Sequence, residues 1–132
     1  MTASFGPALS ACPCGSGTAY AACCGPLHDG EPPATAEALM RSRYTAYACG
    51  RLDHLVRTWH PRTRPPDLTL APGVTWLGLE VLGASRGGPD DVEGTVEFVA
   101  RFRSAGRDQV QHETSRFERR AGRWVYVDGE PG

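Results

Sequence analysis

Four of the chain's five cysteines fall inside thirteen residues, Cys12-Pro13-Cys14-Gly15-Ser16-Gly17-Thr18-Ala19-Tyr20-Ala21-Ala22-Cys23-Cys24. Nothing else in the sequence restricts the fold as strongly. Cys12 and Cys14 flank one proline, so both sulfurs can point into a single tight turn, and Cys23 and Cys24 return from the far end of a short loop to complete a tetrahedron. Zinc favours thiolates in that geometry at about 2.3 Å. A segment so short and so poor in large apolar side chains cannot bury enough surface to order itself. A metal supplies the missing cross-link, because its binding free energy becomes folding free energy. Disulfides would imply an oxidising compartment, yet residues 1–9 carry no basic residue and no apolar core of signal-peptide length. Neighbouring pairs such as Cys23–Cys24 also make strained rings. A redox C-x-x-C is absent. The spacing therefore predicts one zinc ion on Cys12, Cys14, Cys23 and Cys24.

The pattern C-P-C-G-S-G-x-x-Y-x-x-C-C resembles the SEC-C motif, a small zinc-binding module also found at the C-terminus of a preprotein translocase ATPase. The last ligand is often histidine in that motif; here it would be Cys24. The resemblance implies the same four ligands, with Ser16 and Gly17 shaping the loop.

A chain of 132 residues fits one modest domain with a small appendage. Its 40% hydrophobic and 22% charged residues are ordinary for a soluble protein. The net charge of −1 gives no global basic field, so nucleic acid is not the expected partner. No apolar run approaches the roughly 20 residues that span a bilayer, and a cytoplasmic, membrane-free protein is expected. All 14 basic residues are arginines, and all of them follow residue 33. That shift in charge marks a boundary between a module with linker, 1–33, and a second unit, 34–132. Met1 to Ala11 reads as a loose leader, and Gly25 to Pro33, with His28, as the linker.

In the second unit Thr35 is placed to cap a helix with Glu37 in its first turn, and Gly50 to stop it. Leu39, Met40, Tyr44, Tyr47 and Ala48 share one side, with Arg41, Ser42 and Thr45 opposite. A shorter helix is expected from Leu52 to Trp59, ended by Pro61. The period then changes to two. Strands are expected over 74–82, 92–102, 109–118 and 123–128, with turns at Gly87 to Asp91, Ser104 to Arg107 and Ala121-Gly122. Two helices followed by four antiparallel strands make an α+β domain whose helices cover one face of a curved sheet.

No phosphate-binding glycine loop, nucleophile elbow or zinc-protease helix is present. On the third strand His112, Thr114, Arg116 and Glu118 take one face and Gln111, Glu113, Ser115 and Phe117 the other. Whichever face meets the helices contributes to a pocket, and the candidate lining is Arg43, Tyr44, Trp76, His112, Glu113 and Asp128. His54 and His60 are read as surface residues, Cys49 as a small buried one, and Arg41 and Arg43 as ion-pair partners of Glu37 or sheet carboxylates. No residue is assigned a catalytic role.

The runs Leu39 to Tyr47, Thr58-Trp59-His60-Pro61, Val96 to Phe102, His112-Glu113-x-Ser115-x-Phe117 and Trp124-x-Tyr126-x-Asp128-Gly129 are similar to the signature of the uncharacterised YchJ-like family. The resemblance covers roughly residues 12–129. It implies an N-terminal SEC-C module joined to a cystatin-like, nuclear-transport-factor-two-like cone of sheet wrapped on helices. The chain departs from longer members, which carry a second, C-terminal module. The first function expected is a zinc-stabilised adaptor whose module contacts a protein partner, because the module is better supported by the sequence than any pocket. The alternative is a binder or enzyme of isomerase or dehydratase type taking a small ligand in the cone.

Overall fold

The computed structural model describes residues 10–132. The expected leader lies outside the described residues except for Ser10 and Ala11, and these two are paired. Ala11 bridges Ala19, and the Ser10 carbonyl accepts from the Tyr20 amide at 2.9 Å. A 3-10 turn at Tyr20–Ala22 leads into the short helix α1, Cys24–His28. Neither had a periodic signature, because the thiol cluster and the tertiary contacts below fix them.

Helix α2 spans Ala36–Cys49. Thr35 caps it, its Oγ1 accepting from the Ala38 amide at 3.1 Å, and Gly50 ends it in the left-handed conformation at φ 76°. Glu37 and Arg41 pair at 3.0 Å across one turn. The stripe Leu39, Met40 and Tyr44 is buried against the sheet, while Ala48 is exposed. The opposite, polar side is also covered: Ser42 and Thr45 are fully buried beneath the cysteine segment and helix α3, Leu52–Arg57. Leu39 and Leu55, both at 0% exposure, each contribute roughly 1.5–3 kcal/mol of burial.

The second covering moves two histidines from their expected places. His28 is no linker residue but lies at 0% exposure. Its Nε2–H donates to the Ser42 carbonyl at 2.8 Å, so Nδ1 is left to accept from the Tyr20 hydroxyl at 2.8 Å. His54, expected at the surface, is 1% exposed and bonds Ser42 Oγ at 2.8 Å. His60 is half-buried and lies 3.6 Å from Glu118. Cys49 is exposed rather than buried, at the end of α2 where it lines an open hollow with Ala11, Pro13 and Tyr20.

Strands β1 (Val74–Arg86), β2 (Glu93–Ser104), β3 (Arg107–Arg120) and β4 (Arg123–Pro131) form an antiparallel meander in the order β1-β2-β3-β4. Val96, Phe98 and Ala100 of β2 and Ser115 and Phe117 of β3 face α2. The sheet curves through irregularities at Trp76/Gly78 and Val81/Gly83 in β1 and opposite Arg116/Phe117 in β4. The extra residues in β1, Leu77 and Leu82, are turned out, at 44% and 46% exposure. After α3 the chain runs along β4: Tyr126 exchanges bonds of 2.8 Å with the Thr58 carbonyl and the His60 amide. Gly15 of the cysteine loop lies so close to β1 that a Cβ there would stand 3.2 Å from the Leu79 carbonyl oxygen. Among the described residues no helix is long and apolar enough to cross a membrane.

The β2–β3 hairpin places Ala105 and Gly106 at φ 54° and 75°, a turn with both central residues left-handed. Alanine pays for its Cβ at the first position, where asparagine is tolerated. Ala105→Asn is therefore expected to raise stability by up to about 1 kcal/mol, read as a higher urea midpoint with an unchanged slope.

Candidate metal centre and cone cavity

The four cysteines of the leading segment converge. Their sulfurs all lie within 4.8 Å of one another, with Cys14 and Cys23 at 3.6 Å. A tetrahedron of thiolates at about 2.3 Å from a central ion has edges of about 3.8 Å, so the cluster needs to close by no more than about 1 Å to hold a metal ion. All four are free thiols, and Cys12, Cys14 and Cys24 are buried at 4%, 0% and 1% exposure. The local chain explains the convergence: Gly15 and Gly17 at φ 80° and 86° turn it back, and the Cys12 amide closes the loop on the Thr18 carbonyl at 2.8 Å.

The electrostatics match a cation. The hydrogen bond from Cys24 holds the Cys14 thiol down to about 4, while the same contact pushes Cys24 up, and burial pushes Cys23 up. A metal held by all four sulfurs would displace whatever protons they carry. Ser16 Oγ lies 3.2 Å from Cys23 Sγ, and Thr45 Oγ1 3.7 Å from Cys12 Sγ. Arg41 Nη1 donates to the Cys14 carbonyl at 2.8 Å, placing a positive charge beside what would be a net negative centre.

A cavity of about 240 Å³ opens between α2 and the concave face of the sheet. Tyr44, Tyr47, Trp76 and Phe98 form much of its wall. Arg43 enters from α2 at 5% exposure, its guanidinium 4.7 Å from the Trp59 ring centre and 4.5 Å from that of Tyr126. Its Nη1 donates to the Leu55 carbonyl at 3.0 Å and to Thr58 Oγ1 at 2.8 Å. Stacking and hydrogen bonds, not the expected carboxylate partner, offset the cost of burying it. Burial lowers Arg43 to about 10, so it remains a cation at neutral pH.

Glu113 faces it from β3. Ser115 Oγ donates to Glu113 Oε2 at 2.5 Å, Gln111 Nε2 to Oε1 at 3.0 Å, and the Tyr126 hydroxyl to Oε2 at 3.4 Å. Gly129 on β4 makes this possible, because a Cβ there would occupy the space of the Glu113 carboxylate. Burial, and then the nearby Glu113 charge, push the Tyr126 hydroxyl up and keep it a donor.

Of the expected lining residues, Arg43, Tyr44, Trp76 and Glu113 surround this cavity. His112 and Asp128 do not. Alternation along β3 sends His112 outward once Glu113 points in, and its Nε2 meets Glu97 at 2.7 Å. Asp128 takes the same outer face and receives Arg116 Nε at 2.6 Å and Nη2 at 2.8 Å. Gln111 and Ser115 were not singled out, although the i±2 rule on β3 ties both to Glu113.

Family models match the chain twice: the SEC-C motif over residues 10–26, and the YchJ middle NTF2-like domain over residues 35–129. A UPF0225 protein of Chromobacterium violaceum is 54% identical over 92% of this chain and 93% of its own length. One from Streptomyces coelicolor is 52% identical over 90% and 94%. The solution structure of a SEC-C motif containing protein from Rhodopseudomonas palustris superposes with a TM-score of 0.81 at 43% identity, covering 92% of this chain and 98% of that one. The crystal structure of a SEC-C motif containing protein from Psychrobacter arcticus gives 0.78 at 27% identity, covering 96% and 85%.

Elemental analysis of protein purified under reducing conditions is expected to find about one metal ion per chain, as a single four-thiolate site requires. Below a tenth of that, without chelator, the cluster is no metal centre. Acid should also act through the buried histidines. Burial, and then the neighbouring His28, hold His54 down to about 3, so the unfolded chain takes up a proton near pH 6.5 that the folded one refuses. Stability then rises with pH from about 3 to about 6.5 and is lost as pH falls through that window. Between pH 7 and 5 the parent should lose about 2 kcal/mol more than His54→Asn by denaturant titration, metal-site losses being common to both.

Proposed function

We propose, for a chain that belongs to the YchJ-like family of UPF0225 proteins, a role as a metal-clamped protein that binds a small ligand in the cone cavity. The family is uncharacterised, so the reading rests on geometry. The observation that carries it is the pairing of a buried cation, Arg43, with a fixed carboxylate, Glu113, across an aromatic cavity open to solvent. Neither charge forms an ion pair with the other among the described residues, and each is held in place by neighbours that do not neutralise it. Such a site suits a small planar molecule with an anionic group for Arg43 and a donor for Glu113. The cavity volume admits little more than one ring with its substituents.

Zinc is the ion we assign to the four cysteines, because closed four-thiolate sites are structural zinc sites. Its role is to hold the layer that covers the outer side of α2, the helix that delivers Arg43. Free thiols of this kind persist in a reducing compartment, and we assign the protein to the cytoplasm.

A second reading is a protein partner at the module. It is favoured by the exposed loop at Pro13 and Gly15 to Thr18, which stands outside the thiol cluster. It requires that Pro13→Ala/Thr18→Ala, with metal content intact, abolish co-purification of one partner.

The cavity reading is tested by two-dimensional NMR with benzoate and 4-aminobenzoate as probes. Shifts are expected at Tyr44, Trp76 and Glu113 and are expected to vanish in Ala100→Leu, which fills the cavity. Failure of a library of small aromatic carboxylates to perturb any of these residues would end it.

A further inference from the structure

A second cavity, of about 460 Å³, runs between α3 and the tip of the β3–β4 hairpin and shares Trp59 with the cone. Its lining includes Arg57, Arg64, Arg120 and Arg123, all exposed, against one acid, Glu31. A chain of net charge −1 has gathered four guanidinium groups on one groove.

The way these arginines are held matters more than their number. Arg64 Nη1 donates to the Val56 carbonyl at 3.1 Å, and Arg123 Nη1 to the Gly30 carbonyl at 3.3 Å. Arg57 Nη2 donates to the His28 carbonyl at 3.0 Å and approaches His54 Nδ1 at 3.3 Å, while its Nη1 meets Asp53 at 3.0 Å. Backbone carbonyls orient a guanidinium without cancelling its charge. Among the described residues Asp53 is the one carboxylate these groups reach, and it also serves Arg51.

The hairpin adds a second observation. Arg120 and Arg123 are directly opposite in the β3–β4 register, on either side of the Ala121-Gly122 turn. Like charges facing one another across a strand pair destabilise the hairpin. On the other long hairpin, Arg103 is opposite Asp108 and pairs with it at 2.6 Å. The same device is thus used with opposite charges at one hairpin and with like charges at the other, and only the latter lines a groove.

The geometry points to a binding site for a small multiply charged phosphoryl anion, such as a diphosphate or a phosphate monoester, gripped by Arg120 and Arg123 from the hairpin and by Arg57 and Arg64 from the helix side. Forked donors match phosphate oxygens, three of the four being oriented by backbone carbonyls, and more than one negative charge is needed to offset an unpaired Arg120–Arg123 couple. Single-stranded nucleic acid fits less well, because both indoles of the groove are engaged: Trp124 is 1% exposed, and Trp59 is stacked on Arg43 and set edge-on to Tyr126. The site stands apart from the cone reading and does not depend on it.

Inorganic pyrophosphate is the probe. At low ionic strength it should raise the melting temperature of the intact, metal-loaded protein, with the effect fading as salt is added. Arg120→Ala/Arg123→Ala should weaken binding at least tenfold by calorimetry, while Arg103→Ala leaves it within twofold. Without anion, either single substitution, Arg120→Ala or Arg123→Ala, should melt higher than the parent, since each relieves the facing charges, and this also reports that the variants fold. Equal pyrophosphate stabilisation of parent and double variant overturns the site, as does no binding to the parent at millimolar concentration. A thymidine decamer that binds more tightly than pyrophosphate through the same two arginines would replace the small anion with a nucleic acid.

Discussion

Everything in this molecule depends on covering helix α2 from two sides. Its apolar stripe meets the sheet, as an amphipathic helix should, but its serine and threonine side is sealed as well. A polar face can be buried only if its groups find partners, and here each does: Ser42 meets both histidines and Thr45 meets Cys12. The thiol cluster is therefore no pendant bead. Cys12, Cys14 and Cys24 belong to one contiguous core with Leu39, Met40, Tyr44 and Trp124. A metal there would clamp the layer that fixes the roll of α2, and with it the direction in which Arg43 enters the cone.

Much of this was readable from the residues. Thr35, Gly50 and the period-two runs located α2 and all four strands, because capping and alternation are local signals. The convergence of the four thiols was equally plain, since its spacing leaves few other uses for four sulfurs. What escaped was set by contacts between distant segments. His28 looked like a linker residue because its partners, Tyr20 and Ser42, are chosen by the docking of the cysteine segment on α2. His54 looked exposed for the same reason. Which face of β3 turned inward was not decided by alternation, which offers two answers; the choice of Glu113 over His112 follows from Val96, Phe98 and Ala100 on the neighbouring strand.

The two cavities divide the protein's chemistry. In the cone, Arg43 and Glu113 are each immobilised by dedicated neighbours, at the cost of burying charge. In the outer groove the arginines stay solvated, and Arg57, Arg64 and Arg123 are oriented by carbonyls. Trp59 lies between the two and carries under its ring the cation of the first. Its indole nitrogen is buried without an acceptor among the described residues, an unmet demand at the wall common to both.

The position of Gly15 against Leu79 bears on how the edge of the sheet is covered. β1 ends the sheet, and a long terminal strand invites pairing with another chain. The cysteine loop shields its middle, while the kinks at Leu77 and Leu82 spoil its straightness. Whatever separates the four thiols would loosen that shield and bare the free edge of β1 to strand pairing by another chain.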